Sequence, residues 1–177
     1  MLPSSICHAG LNYDLQHLGQ RFFAFSWICS DGSNLAFSVR VRYSDHCISE
    51  TVSLPNPLGH FAFGTASSLR TFDADRYEWS LELPAIVDAL FVKPTTPIQM
   101  TPEHNGYVFR LKMNHLLPSG EKYYCFIRLK RSQEFVVGLH PVKLDLFVES
   151  AYARQSEPIR SNERTMFGRL AERLAML

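Results

Sequence analysis

Between Leu35 and Tyr43 the chain alternates without a break: Leu35, Phe37, Val39, Val41 and Tyr43 are interleaved with Ala36, Ser38, Arg40 and Arg42. Extended backbone sends successive side chains to opposite faces, so period-two spacing of large apolar residues predicts a strand with one face buried. The aromatic-rich run Phe22–Cys29 precedes it, separated by Ser30-Asp31-Gly32-Ser33-Asn34, which is turn chemistry. Together they predict a β-hairpin closed by an Asp-Gly-containing loop. A lone hairpin is marginal in water, so the rest of the chain must extend this sheet and cover its apolar face.

The next segments supply both. Residues 53–68, SLPNPLGHFAFGTASS, read as a loop. Asp73 is a helix N-cap with Asp75 in the first turn, and the helix then runs from Arg76 to Phe91. Phe72 and Tyr77 are spaced to form a hydrophobic staple across the cap. Pro84 cannot donate a backbone hydrogen bond, so it should kink the helix or open a second segment. Leu81, Leu83, Ile86, Val87, Leu90 and Phe91 form the apolar face.

Residues 93–106, KPTTPIQMTPEHNG, read as a second breaker-rich connection. Strands follow at Tyr107–Met113, Tyr123–Arg131 and Phe135–Ala151, with turns at residues 118–121 and 131–134. Gly138 and Pro141 divide the last run, leaving a longer strand from Val142 to Ser150. From Ser161 the spacing becomes helical, with Phe167, Leu170, Leu174 and Leu177 on one face and Arg164, Arg169 and Arg173 among them. The order predicts an α+β fold in which a twisted antiparallel sheet is packed by a central kinked helix and a C-terminal helix. At 177 residues the chain fits one domain. That domain is expected to span residues 1–160, with an amphipathic helix over 161–177 lying on it or on a partner.

Composition narrows function by exclusion. The four cysteines at 7, 29, 47 and 125 contain no CxxC pair, which disfavours a zinc finger or ribbon. There is no Gly-rich phosphate loop or dinucleotide fingerprint, and no cofactor is implied. No run of apolar residues approaches membrane-spanning length and no secretory leader is visible, so the expectation is a cytoplasmic protein away from membranes with reduced, buried thiols. Within the net charge of +1, residues 1–90 carry five basic against nine acidic side chains, and residues 91–177 carry thirteen against eight. Such asymmetry suits either a basic face for an anionic partner or two halves that attract one another.

Four constellations could carry chemistry. Arg42-Tyr43-Ser44-Asp45-His46-Cys47-Ile48-Ser49-Glu50 sets an imidazole beside carboxylates, the parts of an acid/base pair, or equally a solvated strand end. Adjacent strand residues point apart, so His46 is badly placed to activate Cys47. Arg76 opens the helix, where backbone N–H groups favour anions, although Asp73 and Asp75 already satisfy that end. Arg110 and Lys112 share one strand face, as do Arg128 and Lys130. If the faces coincide, four cations could hold a phosphodiester backbone with Tyr107, Tyr123 or Tyr124 stacking bases, or simply form a polar sheet exterior. Ser150, Tyr152 and Arg154 alternate at the end of the last strand, a common place for grouped polar function.

The phrases "YSDHC", "FDADRYEWSLELPAIV" and "LFVESAYAR" resemble small proteins of plasmids and integrated elements labelled stationary phase growth adaptation proteins, over roughly residues 10–155. The hairpin, the LxLPxIVxxL helix and the "ESAYAR" strand end also resemble the barnase–EndoU–colicin–RelE nuclease superfamily and its BrnT-like branch. That second resemblance implies a toxin-like, metal-independent endoribonuclease. His46 would be base or acid, Arg128 or Arg154 the phosphate clamp, and Ser150 and Tyr152 the strand-end pair, with Arg76, Arg110, Lys112 and Lys130 binding RNA. A cognate inhibitor or host protein would be a partner. The other expectation is a non-catalytic interaction module that engages a host or defence protein, with its C-terminal helix available for homodimerisation.

Overall fold

A computed structural model describes residues 2–51, 70–117, 119–132, 141–154 and 163–177. The chain opens with strands β1 (Ser5–His8) and β2 (Leu11–Asp14), paired antiparallel across a turn in which Ala9 and Gly10 both have positive φ, 50° and 79°. A two-residue hairpin of that twist needs left-handed backbone at both positions, and Gly10 supplies one without strain. The predicted hairpin follows as β3 (Arg21–Ile28) and β4 (Asn34–Tyr43), with Phe25 opposite Phe37 and Phe23 opposite Val39. Phe37, Val39, Val41 and Tyr43 are buried while Arg42 is exposed, as the alternation required.

β4 ends in a single 3-10 turn, Asp45–Cys47, and the short strands β5 (Ser49–Thr51) and β6 (Arg70–Phe72) pair beyond it. The loop predicted for residues 53–68 lies outside the described residues. Helix α1 (Ala74–Ser80) begins where Asp73 accepts from the Arg76 backbone N–H, and Phe72 and Tyr77 meet with ring centroids 6.0 Å apart. Pro84 divides the helical run as expected, and α2 (Leu83–Val92) starts with it in the first turn. Leu83, Ile86, Val87, Leu90 and Phe91 are buried, but Leu81 sits in the break between the helices and is 46% exposed.

Residues 93–106 contain a strand rather than a connection: β7 (Pro97–Glu103) pairs with β8 (Val108–Leu116), which pairs with β9 (Lys122–Arg131) and then β10 (Val142–Arg154). The two prolines in β7 are tolerated by position. Pro97 begins the strand, and among the described residues β11 (Glu163–Met166) pairs only with Pro97 to Met100, so Pro102 has no described partner on that side. The predicted tail helix is shorter than its periodicity, since α3 spans Phe167–Ala175 and is preceded by β11. Gly138 and the strand expected over residues 135–140 lie outside the described residues.

The strands form one seven-stranded sheet in the order β11-β7-β8-β9-β10-β4-β3. It is antiparallel except where β10 runs parallel to β4, Val142 opposite Phe37 through Val148 opposite Tyr43. That pair could not be read from local pattern, because strand direction is decided by the long connection between them. α2 and α3 cover the inner face. Phe167 packs against Phe25 and Phe91, each at 5.6 Å between centroids, and Leu170, Ala171 and Leu174 are fully buried with it. The apolar stripe of α3 is therefore spent inside the chain, which removes the structural motive for a homodimer through that helix.

Candidate functional site on the outer sheet face

On the face opposite α2 and α3, β10 carries a bulge between Val148 and Ser150, placing Glu149 out of register. Bulges bend a strand and re-aim side chains. The 3-10 turn with His46 docks against this bend. Ser44 N–H donates to the Val148 carbonyl at 2.9 Å, and the Cys47 thiol approaches the same oxygen at 3.8 Å. Within the turn Ser44 Oγ accepts from the His46 N–H, so the Ser-Asp-His order closes the local turn with its own side chain. His46 is exposed and Cys47 is fully buried, pointing apart as expected but from a turn rather than a strand. Burial pushes the Cys47 thiol up to about 12, so it is protonated and inert at neutral pH. Cys29 and Cys125 are buried too, whereas Cys7 is exposed, contrary to the expectation for all four.

Arg76 reaches back from α1 and donates to the backbone carbonyls of His46 at 3.1 Å and Ser49 at 2.8 Å, with Asp73 at 3.4 Å. It is thus a structural clamp on the turn rather than an open anion site. Arg70 does similar work on β5, donating to Ser49 Oγ at 2.8 Å and the Ser49 carbonyl at 2.6 Å. Arg76 also lies over the Tyr152 ring, 5.8 Å from its centroid, and Tyr152 stacks on Phe126 at 5.4 Å. Lys112 continues the series, 5.5 Å from the Phe126 ring and 5.2 Å from that of Tyr124. Partial desolvation and the charges of Arg70 and Arg76 hold His46 below the ordinary imidazole range, against the pull of Asp45 and Glu149. At neutral pH it is an uncharged imidazole.

The expected basic faces coincide, since Arg110 stands opposite Arg128 and Lys112 opposite Phe126. They do not make an open cation patch. Arg128 Nη2 meets Glu149 at 2.8 Å, Arg110 Nη2 meets Glu103 at 3.1 Å, and the longer diagonals, Arg110 to Glu149 at 3.6 Å and Arg128 to Glu103 at 3.9 Å, close a four-charge ring. Its side chains remain 24% to 47% exposed, and Arg128 Nε is buried without a hydrogen bond. The predicted phosphate clamp is already neutralised by two glutamates, because a carboxylate fork satisfies guanidinium geometry before any external phosphate arrives.

His46, Arg76, Arg128 and Tyr152 are thus gathered around one bend in β10, together with Glu149. Lys112 joins them through the aromatic series, and Ser150, opposite Phe126, lies just past the bulge. Arg154 ends β10 with a side chain outside the described atoms, and Lys130 stands two residues away from Arg128 toward Asp145. Two aromatic stacking candidates are displaced: Tyr123 is fully buried on the inner face, and Tyr107 lies in the turn before β8. Glu103, Glu149 and Phe126 escaped notice in the sequence. Period-two alternation with Arg128 could have placed Phe126 on this face, whereas Glu103 lay in a segment read as a loop. No group of three His, Cys, Asp or Glu side chains suited to a metal occurs among the described residues. Among them, no helix is long and apolar enough to cross a membrane.

No curated protein and no solved structure matches the chain. The comparisons lend no support to the nuclease-superfamily resemblance, while the growth-adaptation resemblance accords with the family found. That family's profile matches residues 5–175, nearly the whole sequence, and the chain belongs to the YjaZ family.

Proposed function

We propose that the chain is a non-catalytic binding module, encoded on a plasmid or integrated element, that engages a host or defence protein through the outer face around the β10 bulge. The observation that carries this reading is the charge-balanced ring of Arg110, Arg128, Glu103 and Glu149 beside the Tyr152–Phe126 stack. Arginine and aromatic side chains dominate protein–protein hot spots. Arg110 and Arg128 are already paired with carboxylates there, so a phosphodiester would have to compete for them. Affinity capture with the full chain tests the reading: one partner should be retained by wild type and by the remote control Lys93→Glu, and lost with Arg128→Glu. Capture that survives Arg128→Glu would defeat it.

A second reading, ribonuclease activity, is favoured by one observation. His46 is uncharged at neutral pH and feels both Glu149 and Arg76 at the bend. A neutral imidazole has the protonation state of a general base for a ribose 2′-OH. RNA cleavage by wild type that vanishes in His46→Ala would establish it and displace the binding module; absence of cleavage by either protein removes it.

A further inference from the structure

A cavity of about 610 Å³ lies at the open end of the β3–β4 hairpin, where Phe147 stands between its Arg42 and Arg128 of the charge ring. Its origin is topological. β3 begins opposite Val41, so among the described residues the last two of β4, Arg42 and Tyr43, have no strand beside them on that edge. The chain instead bends around the space through residues 15–20, while residues 2–4 form a further wall. Leu15, Leu18, Tyr43 and Phe147 supply apolar and aromatic lining, and the volume falls in the ~300–1,000 Å³ range of small-molecule sites.

The polar group that gives this cavity a chemistry is Arg42. Other arginines of the sheet are committed: Arg21 to Asp88 at 2.9 Å, Arg40 to Asp145 at 2.7 Å, and Arg110 and Arg128 to their glutamates. Arg42 lines the cavity, is exposed, and forms no ion pair with any described residue. Its guanidinium rests over the Phe147 ring, 5.8 Å from the centroid. Stacking of that kind orients the planar fork while leaving its N–H donors for an anion.

We propose that this cavity binds a small amphipathic monocarboxylate, its apolar body between Leu15, Leu18, Tyr43 and Phe147 and its carboxylate forked by Arg42. The site shares no residue with the outer-face patch, so each proposal can fail while the other stands. Isothermal titration of the full chain with 2-naphthylacetate tests it, with the uncharged analogue 2-(2-naphthyl)ethanol and inorganic phosphate as comparisons. Wild type should bind the acid at one site, with amide shift changes centred on Leu18 and Tyr43. The alcohol should bind at least about tenfold more weakly, as should the acid to Arg42→Gln, because a charge-assisted fork is lost in each case. Arg42 is exposed, so the variant should keep the wild-type melting midpoint. No binding of the acid, equal binding of acid and alcohol, equal binding by Arg42→Gln, phosphate binding as tightly as the acid, or shift changes away from the cavity would each overturn the assignment.

Discussion

Glu172 and Glu149 are two carboxylates on opposite faces of one sheet, and they do opposite jobs. Glu172, on α3, is 4% exposed and accepts from the Ser30 backbone N–H at 3.1 Å, the Trp27 indole at 2.9 Å, the Ser30 hydroxyl at 3.0 Å and Arg169 at 3.1 Å. Those donors, the Ser30 backbone foremost, hold its carboxyl down at about 2. Glu149 meets Arg128 and Arg110 but stays 24% exposed, within a ring that still contains a buried Arg128 Nε lacking a hydrogen bond. A carboxylate satisfied on every side fastens a helix to a hairpin loop. One left half open, among half-exposed arginines, is suited to meeting something else. The difference lies in desolvation and geometry, since the residue type is the same.

The largest break in this contrast should come at Gly168. A Cβ there would lie 2.1 Å from Trp27 Cε3, and the indole cannot swing away without giving up its bond to Glu172. Gly168→Ala is expected to cost about 2–3 kcal/mol by overpacking, read as a lower urea midpoint. An unchanged midpoint would show that α3 is not held this closely to the hairpin.

Acid should separate the two carboxylates next. The folded pKa of Glu172, at about 2, lies below its ordinary value of 4.5. Its contribution is therefore complete above pH ~4.5 and is lost as pH falls through about 2, because the unfolded state takes up the proton first. Melting curves should steepen in their fall over that interval for wild type and flatten for Glu172→Gln. Identical slopes would mean that the carboxylate adds nothing to the fold at neutral pH.

On the outer face the stability effects should be small. The side chain of Arg128 is 39% exposed, so solvent screens its pairs and Arg128→Ala should cost under ~1 kcal/mol in a denaturant titration. A larger loss would make the ring a structural element like the Glu172 cluster and weaken the case for a docking face. His46→Ala should change stability least, within about 0.5 kcal/mol, since the ring is exposed and the turn is held by backbone and by Ser44. A melting shift of several degrees would place the imidazole inside the packing of the bend.

The elements written in local pattern were legible without coordinates. Alternation at Leu35–Tyr43 marked β4, and Asp73, Phe72, Tyr77 and Pro84 marked the start, staple and break of the helical region. β7 was hidden because Pro97 and Pro102 carry the signature of a loop, and their tolerance depends on where neighbouring strands stop. The candidate site was half legible. His46, Arg76, Arg128, Ser150 and Tyr152 could be named, and the structure brings them to one bend. Their partners were invisible, because Glu103 and Glu149 meet the arginines only through strand register, which no short window encodes.

Spacing within a few residues suffices for an α+β chain with a one-sided hairpin, a proline-broken helix, and His46 and Cys47 turned apart. Strand pairing and packing set β10 parallel to β4, pair Arg110 and Arg128 of the expected cation patch with Glu103 and Glu149, and leave Arg42 bordering a cavity without an ion-pair partner among the described residues. Those outcomes depend on which strands meet and in what register, and on which charges that meeting leaves within 4 Å of one another.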